Sequence, residues 1–141
     1  MEKMDEPEGP ARKLGSITIL LVEDSSLLAS SLARCLARRG YIVRTAATTA
    51  EAEASVEKEP LDCGIFDIQL GDEDGITLAA RLLDARRVRC VVFYTGTIDG
   101  LSLDRAAALG PLVHKEEPLE ELARAVLAEV ERAQAAESAR R

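Results

Sequence analysis

The chain has 141 residues, of which 47% are apolar and 30% charged, and its formal net charge is −7. This length fits one globular domain with a real core and is too short for two. The acidic balance argues against a nucleic-acid-binding domain, which would carry a basic face. Only 3% of the residues are aromatic and none is Trp, so we expect a core of Leu, Val, Ile and Ala.

The apolar runs, the first residues of the chain and the cysteines indicate the cellular compartment of the protein. No apolar run approaches the about 18 residues of a membrane helix, and residues 1–15 lack the apolar core of a signal peptide. We interpret residues 1–15, which are charged and contain Pro and Gly, as a disordered tail. The three cysteines, Cys35, Cys63 and Cys90, are widely spaced among apolar neighbours, which favours small core side chains over a disulfide or metal site. We therefore expect a cytoplasmic protein that does not contact a membrane.

Strand and helix patterns alternate along the rest of the chain. β-branched apolar runs predict strands over 16–24, 41–46, 61–67, 89–95 and 111–115. Apolar residues at helical spacing predict helices over 25–40, 49–58, 75–86, 102–109 and 119–133. Thr48 and Glu51 form a candidate capping box, and residues 134–141 are expected to fray. Five such alternations imply an α/β fold, with a parallel sheet covered by helices on both faces.

Chemically active side chains follow four of the five predicted strands. The first strand ends at Glu23 and Asp24, and the third ends at Asp67. The fourth strand ends at Thr95 and the fifth at Lys115. In an open parallel sheet, ligands bind outside the carboxyl ends of the strands. The sequence therefore places acids, a hydroxyl and a cation at one edge of the sheet.

These residue types suit metal-assisted phosphoryl chemistry. Close carboxylates stay ionised together when a cation joins them, and Mg²⁺ prefers oxygen ligands such as those of Glu23, Asp24 and Asp67. A carboxylate can also attack phosphorus to give an aspartyl phosphate, whose oxygens then need Mg²⁺ on one side and a cation on the other. Asp67 ends a central strand, with Thr95 and Lys115 as partners, so we predict that it is the reactive group. The other acids of its loop are expected to be solvated: Asp72, Glu73 and Asp74.

Each feature taken alone has a plainer interpretation. Asp24 before two serines is typical of a helix cap, and Asp67 is typical of a turn. Thr95 before a glycine also suits a turn, while Lys115 suits a solvated cation and His114 a strand residue without a role. The combination on one edge, in one chain order, favours the phosphoryl site.

Four motifs resemble the receiver domain of two-component response regulators, of the stand-alone chemotaxis-regulator type. They are ILLVEDS with its acidic pair, FDIQLGDEDG with Asp67, VVFYTG with Thr95, and VHK with Lys115. The resemblance covers residues 16–133 and implies a flavodoxin-like (βα)5 receiver fold with strand order 2-1-3-4-5.

The resemblance also implies a role in bacterial phosphorelay signal transduction. Asp67 would take a phosphoryl group from a sensor histidine kinase or a histidine phosphotransfer protein, assisted by Thr95 and Lys115. The domain would signal through protein contacts with a downstream target. Two copies of the chain are also a candidate homodimer. It would be no enzyme beyond catalysing its own phosphorylation and dephosphorylation, and it would bind no nucleic acid. The implied Mg²⁺ ligands are Glu23, Asp24, Asp67 and the backbone carbonyl of Gln69.

Three positions depart from the pattern of the family. Gly71 stands where proline is usual, and Lys115 is followed by Glu116-Glu117-Pro118 instead of directly by proline. Leu112 stands where an aromatic switch residue is common. Few positions separate Thr95 from Lys115, and residues 96–101 contain two glycines, so the sequence also predicts a mobile loop over 96–101. Combined with Leu112, this leads us to expect that phosphate acts mainly by drawing the threonine and the lysine toward the aspartate and reordering that loop.

Three other classes of protein compete with this interpretation. A pseudo-receiver, which binds partners without switching by phosphate, would be favoured by Leu112 and the missing Lys-Pro pair but not by the intact acid–Thr–Lys group. A haloacid-dehalogenase-like phosphatase would need an acid two residues after Asp67, where Gln69 stands. A flavin-binding protein would cradle phosphate in its first loop, where Glu23 and Asp24 would repel it.

Overall fold

A computed structural model describes residues 16–96 and 99–140. One sheet holds five parallel strands: β1 Thr18–Val22, β2 Ile42–Ala46, β3 Leu61–Phe66, β4 Val88–Thr95 and β5 Leu112–His114. Their order across the sheet is β2-β1-β3-β4-β5, and every neighbouring pair is parallel. This confirms the predicted α/β fold class and the strand order 2-1-3-4-5.

Five helices connect these strands: α1 Ser26–Arg38, α2 Thr49–Ser55, α3 Gly75–Asp84, α4 Gly100–Ala107 and α5 Leu119–Ala139. The first four begin after a residue whose side chain accepts a hydrogen bond from the first turn: Ser25, Thr48, Asp74 and Asp99. Such caps satisfy backbone N–H groups that have no partner within the helix. The predicted capping box forms in part, because Thr48 accepts from Glu51 N at 3.1 Å while the Glu51 carboxylate accepts from Ala47 N at 2.8 Å.

The core has two layers, one on each face of the sheet. Alternating side chains of β3 and β4 point to opposite faces, so Phe66 and Phe93 pack under α2, α3 and α4 while Ile65 and Tyr94 pack under α1 and α5. Cys63 and Cys90 are buried, Cys35 is half-buried and all three thiols are free, as predicted. Within the two described ranges, no helix combines the length and apolar character needed to cross a membrane.

Several predicted boundaries need correction. Helix α4 begins at Gly100 rather than 102, so the last two residues of the predicted loop 96–101 are helical, while residues 97 and 98 lie outside the described part of the chain. Helix α5 continues to Ala139, so the predicted frayed tail is helical over 134–139. That last segment contains several Ala residues, which favour helix, and its one glutamate, Glu137, lies 3.7 Å from the guanidinium of Arg89 on β4. The predicted tail at 1–15 also lies outside the described residues.

Candidate functional site

The carboxyl ends of the strands bring five predicted side chains together. Backbone hydrogen bonds continue the sheet one residue past β1, β3 and β5, from Glu23 N to Ala46 O, from Asp67 N to Val22 O and from Lys115 N to Thr95 O. These bonds fix where each side chain leaves the backbone. We call this place the carboxyl edge, comprising Glu23, Asp24, Asp67, Thr95 and Lys115.

Asp67 lies at the centre of the carboxyl edge. The residue as a whole is only 7% exposed to solvent. The Asp67 Oδ2 atom accepts a hydrogen bond from Lys115 Nζ at 2.7 Å, and Oδ1 accepts from Thr95 Oγ1 at 3.1 Å and from Gln69 N at 3.2 Å. The buried carboxylate is thus surrounded by a cation, a hydroxyl and an amide.

Glu23 shares the lysine with Asp67. Glu23 is 3% exposed, and its carboxylate accepts from Ser25 N at 3.0 Å and lies 3.0 Å from Lys115 Nζ. Burial raises the pKa of Glu23 above its ordinary value, and the hydrogen bonds from Ser25 and Lys115 oppose this shift only in part. Burial alone would lower the pKa of Lys115, but its hydrogen bonds to Asp67 and Glu23 outweigh that effect and the net shift is upward. Lys115 is therefore a fixed positive charge between two buried carboxylates.

Three carboxylates of the carboxyl edge form a cluster that suits a hard cation. Oxygen atoms of Glu23, Asp24 and Asp67 all lie within 4.8 Å of one another. Asp24 is exposed, whereas the other two are buried, so the cluster opens to solvent on one side. All-oxygen donors of this kind fit Mg²⁺ or Ca²⁺ better than softer metals.

A short hairpin follows Asp67 and carries the remaining acids. Residues Gln69–Leu70 pair antiparallel with Glu73–Asp74, and Gly71 at the turn has φ of +61°. A positive φ at the first turn residue favours glycine and excludes proline, whose φ is fixed near about −65°. Glycine therefore suits this turn of the chain, and the proline usual in the family would not fit its backbone. A Cβ at Gly71 would lie 4.0 Å from Asp24 Oδ2, so the hairpin turn lies beside the acidic cluster.

Glu73 and Asp74 are exposed, as predicted, but they also hold the hairpin in place. The Glu73 carboxylate accepts from Thr49 N at 2.9 Å and Thr49 Oγ1 at 2.7 Å, at the start of α2. Asp74 caps α3 and lies 2.9 Å from the guanidinium of Arg105 on α4. Sequence reasoning missed both roles; the aspartate-glycine pair before an apolar helix was the signal for the cap at Asp74.

The turn after Lys115 differs from a lysine–proline turn. The N–H of Glu117 donates to the carbonyl of His114 at 2.9 Å, and the Glu117 carboxylate accepts from His114 N at 3.0 Å. Glu116 N donates to His114 Nδ1 at 3.2 Å. His114 is therefore a partner in this turn, contrary to the expectation that it has no role. Leu112 is half-buried and packs on the layer that holds Phe93.

Comparisons with known proteins agree with this geometry. The family model for the response regulator receiver domain matches residues 19–127. The transcriptional regulatory protein TcrA of Mycobacterium tuberculosis is 35% identical over 104 residues, covering 72% of this chain and 40% of the relative. The alginate biosynthesis transcriptional regulatory protein AlgB of Pseudomonas aeruginosa is 34% identical over 64 residues, 45% of this chain and 14% of the relative. The chain thus spans less than half the length of these relatives.

Solved structures show the same fold. A CheY-like response regulator receiver domain protein from Methanospirillum hungatei has a TM-score of 0.79 at 23% identity, covering 85% of this chain and 98% of that one. A response regulator from Burkholderia pseudomallei, solved with a phosphorylated aspartic acid, a calcium ion and citrate, has a TM-score of 0.73 at 26% identity, covering 89% and 75%. With the family model matching most of its length, the chain belongs to the response regulator receiver domain family.

Proposed function

We propose that this receiver domain accepts a phosphoryl group on Asp67 in a step that requires Mg²⁺. One observation carries the proposal: the buried Asp67 carboxylate contacts Lys115 Nζ at 2.7 Å and Thr95 Oγ1 at 3.1 Å while clustering with Glu23 and Asp24. A nucleophile, two donors for phosphoryl oxygens and a set of metal ligands thus meet at one point.

In the proposed step, an Asp67 carboxylate oxygen attacks the phosphorus of a phosphohistidine. The new oxygen–phosphorus bond forms as the nitrogen–phosphorus bond breaks, and the imidazole nitrogen leaves with the electron pair. Lys115 then pairs with one transferred oxygen, and the Thr95 hydroxyl donates to another. Attack by water on the aspartyl phosphate restores Asp67 and releases inorganic phosphate.

The residues of the carboxyl edge fit Mg²⁺ for this step. Glu23, Asp24 and Asp67 would hold it, together with the backbone carbonyl of Gln69. When bound, Mg²⁺ would supply positive charge beside the phosphoryl group in the transition state. Because Asp24 is exposed, the ion can reach the cluster from solvent.

Membership of the family supports a proposal for the classes of partner. The receiver domain is a signalling module rather than an enzyme with a separate substrate. We infer that a sensor histidine kinase or a histidine phosphotransfer protein donates the phosphoryl group in the cytoplasm, and that the output passes through protein contacts with a target. A homodimer of this chain is one assembly to test.

The contacts at the carboxyl edge weigh against the competing classes. A pseudo-receiver, which does not switch by phosphate, does not require a lysine and a threonine that both contact the buried aspartate. At Gln69 the backbone amide donates to Asp67, and the side chain cannot supply the proton that a haloacid-dehalogenase-like phosphatase needs. Glu23 and Asp24 would still repel a flavin phosphate.

Incubation with acetyl phosphate tests the proposal. Intact mass is measured with Mg²⁺ and with a chelator, for the wild-type chain, Asp67→Asn and Asp72→Asn. Asp72 is the matched control because it is an exposed acid on the neighbouring hairpin turn. We expect Mg²⁺-dependent labelling of the wild-type chain and Asp72→Asn, and none of Asp67→Asn. A folded wild-type chain that takes no label would favour the pseudo-receiver.

A further inference from the structure

Lys115 depends on few backbone contacts for its position. It follows β5, a strand of three residues at the edge of the sheet, and its N–H donates to Thr95 O at 2.9 Å. Its side chain must then reach both Asp67 and Glu23, at 2.7 and 3.0 Å from Nζ. A small rotation of the backbone at Lys115 would move the ammonium group by more than a hydrogen bond tolerates.

The backbone of the residue before the lysine is held by Glu117. In a parallel edge strand, alternate N–H groups point away from the sheet, and that of His114 does so because its neighbours bond inward to β4. The Glu117 carboxylate accepts from this N–H at 3.0 Å, and Glu117 N donates to the His114 carbonyl at 2.9 Å. Both backbone groups of His114 are thus bound by one residue, and Lys115 lies inside the turn that they close.

We propose that Glu117 is a positioning residue for Lys115. Its carboxylate fixes the turn over 114–117 in this chain, which has Glu116 rather than proline after the lysine. Glu117 acts through Lys115 and contacts no transferred atom. The inference rests on the proposed function, since it matters only if Lys115 binds the phosphoryl group.

Two substitutions of Glu117 separate the loss of its hydrogen bond from the loss of its charge. Glu117→Ala removes the acceptor and the charge, whereas Glu117→Gln keeps an oxygen that accepts from His114 N and removes the charge alone. Glu116→Ala is the matched control, because it removes a neighbouring exposed carboxylate while its backbone N–H to His114 Nδ1 remains. Glu117→Met keeps the length of the side chain without an acceptor and replaces the alanine variant if that variant does not fold.

The measurements are the Mg²⁺-dependent rate of Asp67 labelling by acetyl phosphate, the affinity for beryllofluoride and the affinity for Mg²⁺ alone. Loss of one hydrogen bond should slow labelling and weaken beryllofluoride binding about three- to tenfold in Glu117→Ala. Mg²⁺ affinity should not fall, because the three carboxylates remain in place. Glu117→Gln should label at the wild-type rate and bind beryllofluoride with wild-type affinity. Glu116→Ala should match the wild-type chain in all three measurements.

The outcomes distinguish the two proposals. If Glu117→Ala labels at the wild-type rate, or if Glu117→Gln is as slow as Glu117→Ala, the positioning role is overturned while the proposed function stands. An equal loss of Mg²⁺ and beryllofluoride affinity in Glu117→Ala would also overturn it, since that pattern indicates general damage to the site. A wild-type chain that neither labels nor binds beryllofluoride would remove the proposed function and this inference with it.

Discussion

Replacing Gly75 with alanine should disrupt the loop that carries Asp67. Gly75 begins α3, and its N–H donates to Ile68 O at 2.7 Å, which draws the helix start onto the loop. A Cβ at Gly75 would lie 1.8 Å from the carbonyl oxygen of Asp67, whereas real Cβ contacts essentially never fall below 3.0 Å. The two backbone segments would have to separate by about 1.2 Å, the difference between these distances.

The expected cost is large because the clashing atom belongs to the backbone and no rotamer change relieves it. We expect Gly75→Ala to lose about 2–4 kcal/mol of unfolding free energy. Gly100→Ala is a matched control, since Gly100 also begins a helix after a capping aspartate and a Cβ there would meet nothing within 4 Å. That variant should be neutral or more stable by up to about 1 kcal/mol.

Urea unfolding of both variants measures the difference, with the acetyl phosphate reaction as a second readout. Gly75→Ala should also label more slowly, because the displaced carbonyl belongs to the acceptor residue itself. Equal stability of Gly75→Ala and Gly100→Ala, within about 0.5 kcal/mol, would refute the close approach of α3 to Asp67.

Three further predictions concern charge. Asp24→Asn should weaken Mg²⁺ binding clearly in a calorimetric titration, and an unchanged titration would count against the three-acid cluster. Because burial raises the pKa of Glu23, its contribution to stability is full below its ordinary value of 4.5 and is lost as pH rises. In metal-free urea unfolding, the wild-type chain should therefore lose stability relative to Glu23→Gln as pH rises above about 4.5; a gain with rising pH would reverse the assignment. Burial would raise the pKa of Asp74, but hydrogen bonds from Arg105, Thr77 and Ile76 lower it below 3.8. Asp74→Ala should thus cost about 1 kcal/mol at pH 7 and less as pH falls below 3.8, and a cost independent of pH would exclude the ionised cap.

Much of the fold could be predicted because the strands that define it are short apolar runs ending in polar residues. Their alternation with helices restricts the sheet to a parallel order, and a parallel sheet brings all strand ends to one edge. That is why Glu23, Asp67 and Lys115 meet as predicted, although 48 positions separate Asp67 from Lys115 and still more separate Glu23 from Lys115.

The side-chain contacts between different helices and strands could not be predicted from the sequence. Glu73 bonds to Thr49 across 24 residues, and Arg105 bonds to Thr77 across 28. Such contacts depend on how each helix is rotated on the sheet, which hydrophobic periodicity leaves open by several tens of degrees. The hydrogen-bonded turn at 114–117 could not be predicted either, because only one of several glutamates in that segment accepts the bond from His114 N.

Locating the phosphoryl group tests the central claim most directly. The wild-type chain is labelled with acetyl phosphate and Mg²⁺, the aspartyl phosphate is trapped with borohydride, and the peptides are mapped by mass spectrometry. We predict a single modified residue, Asp67, and no modification without Mg²⁺. Modification at Asp72 or Asp74 that persists in Asp67→Asn would contradict the assignment of Asp67 as the acceptor.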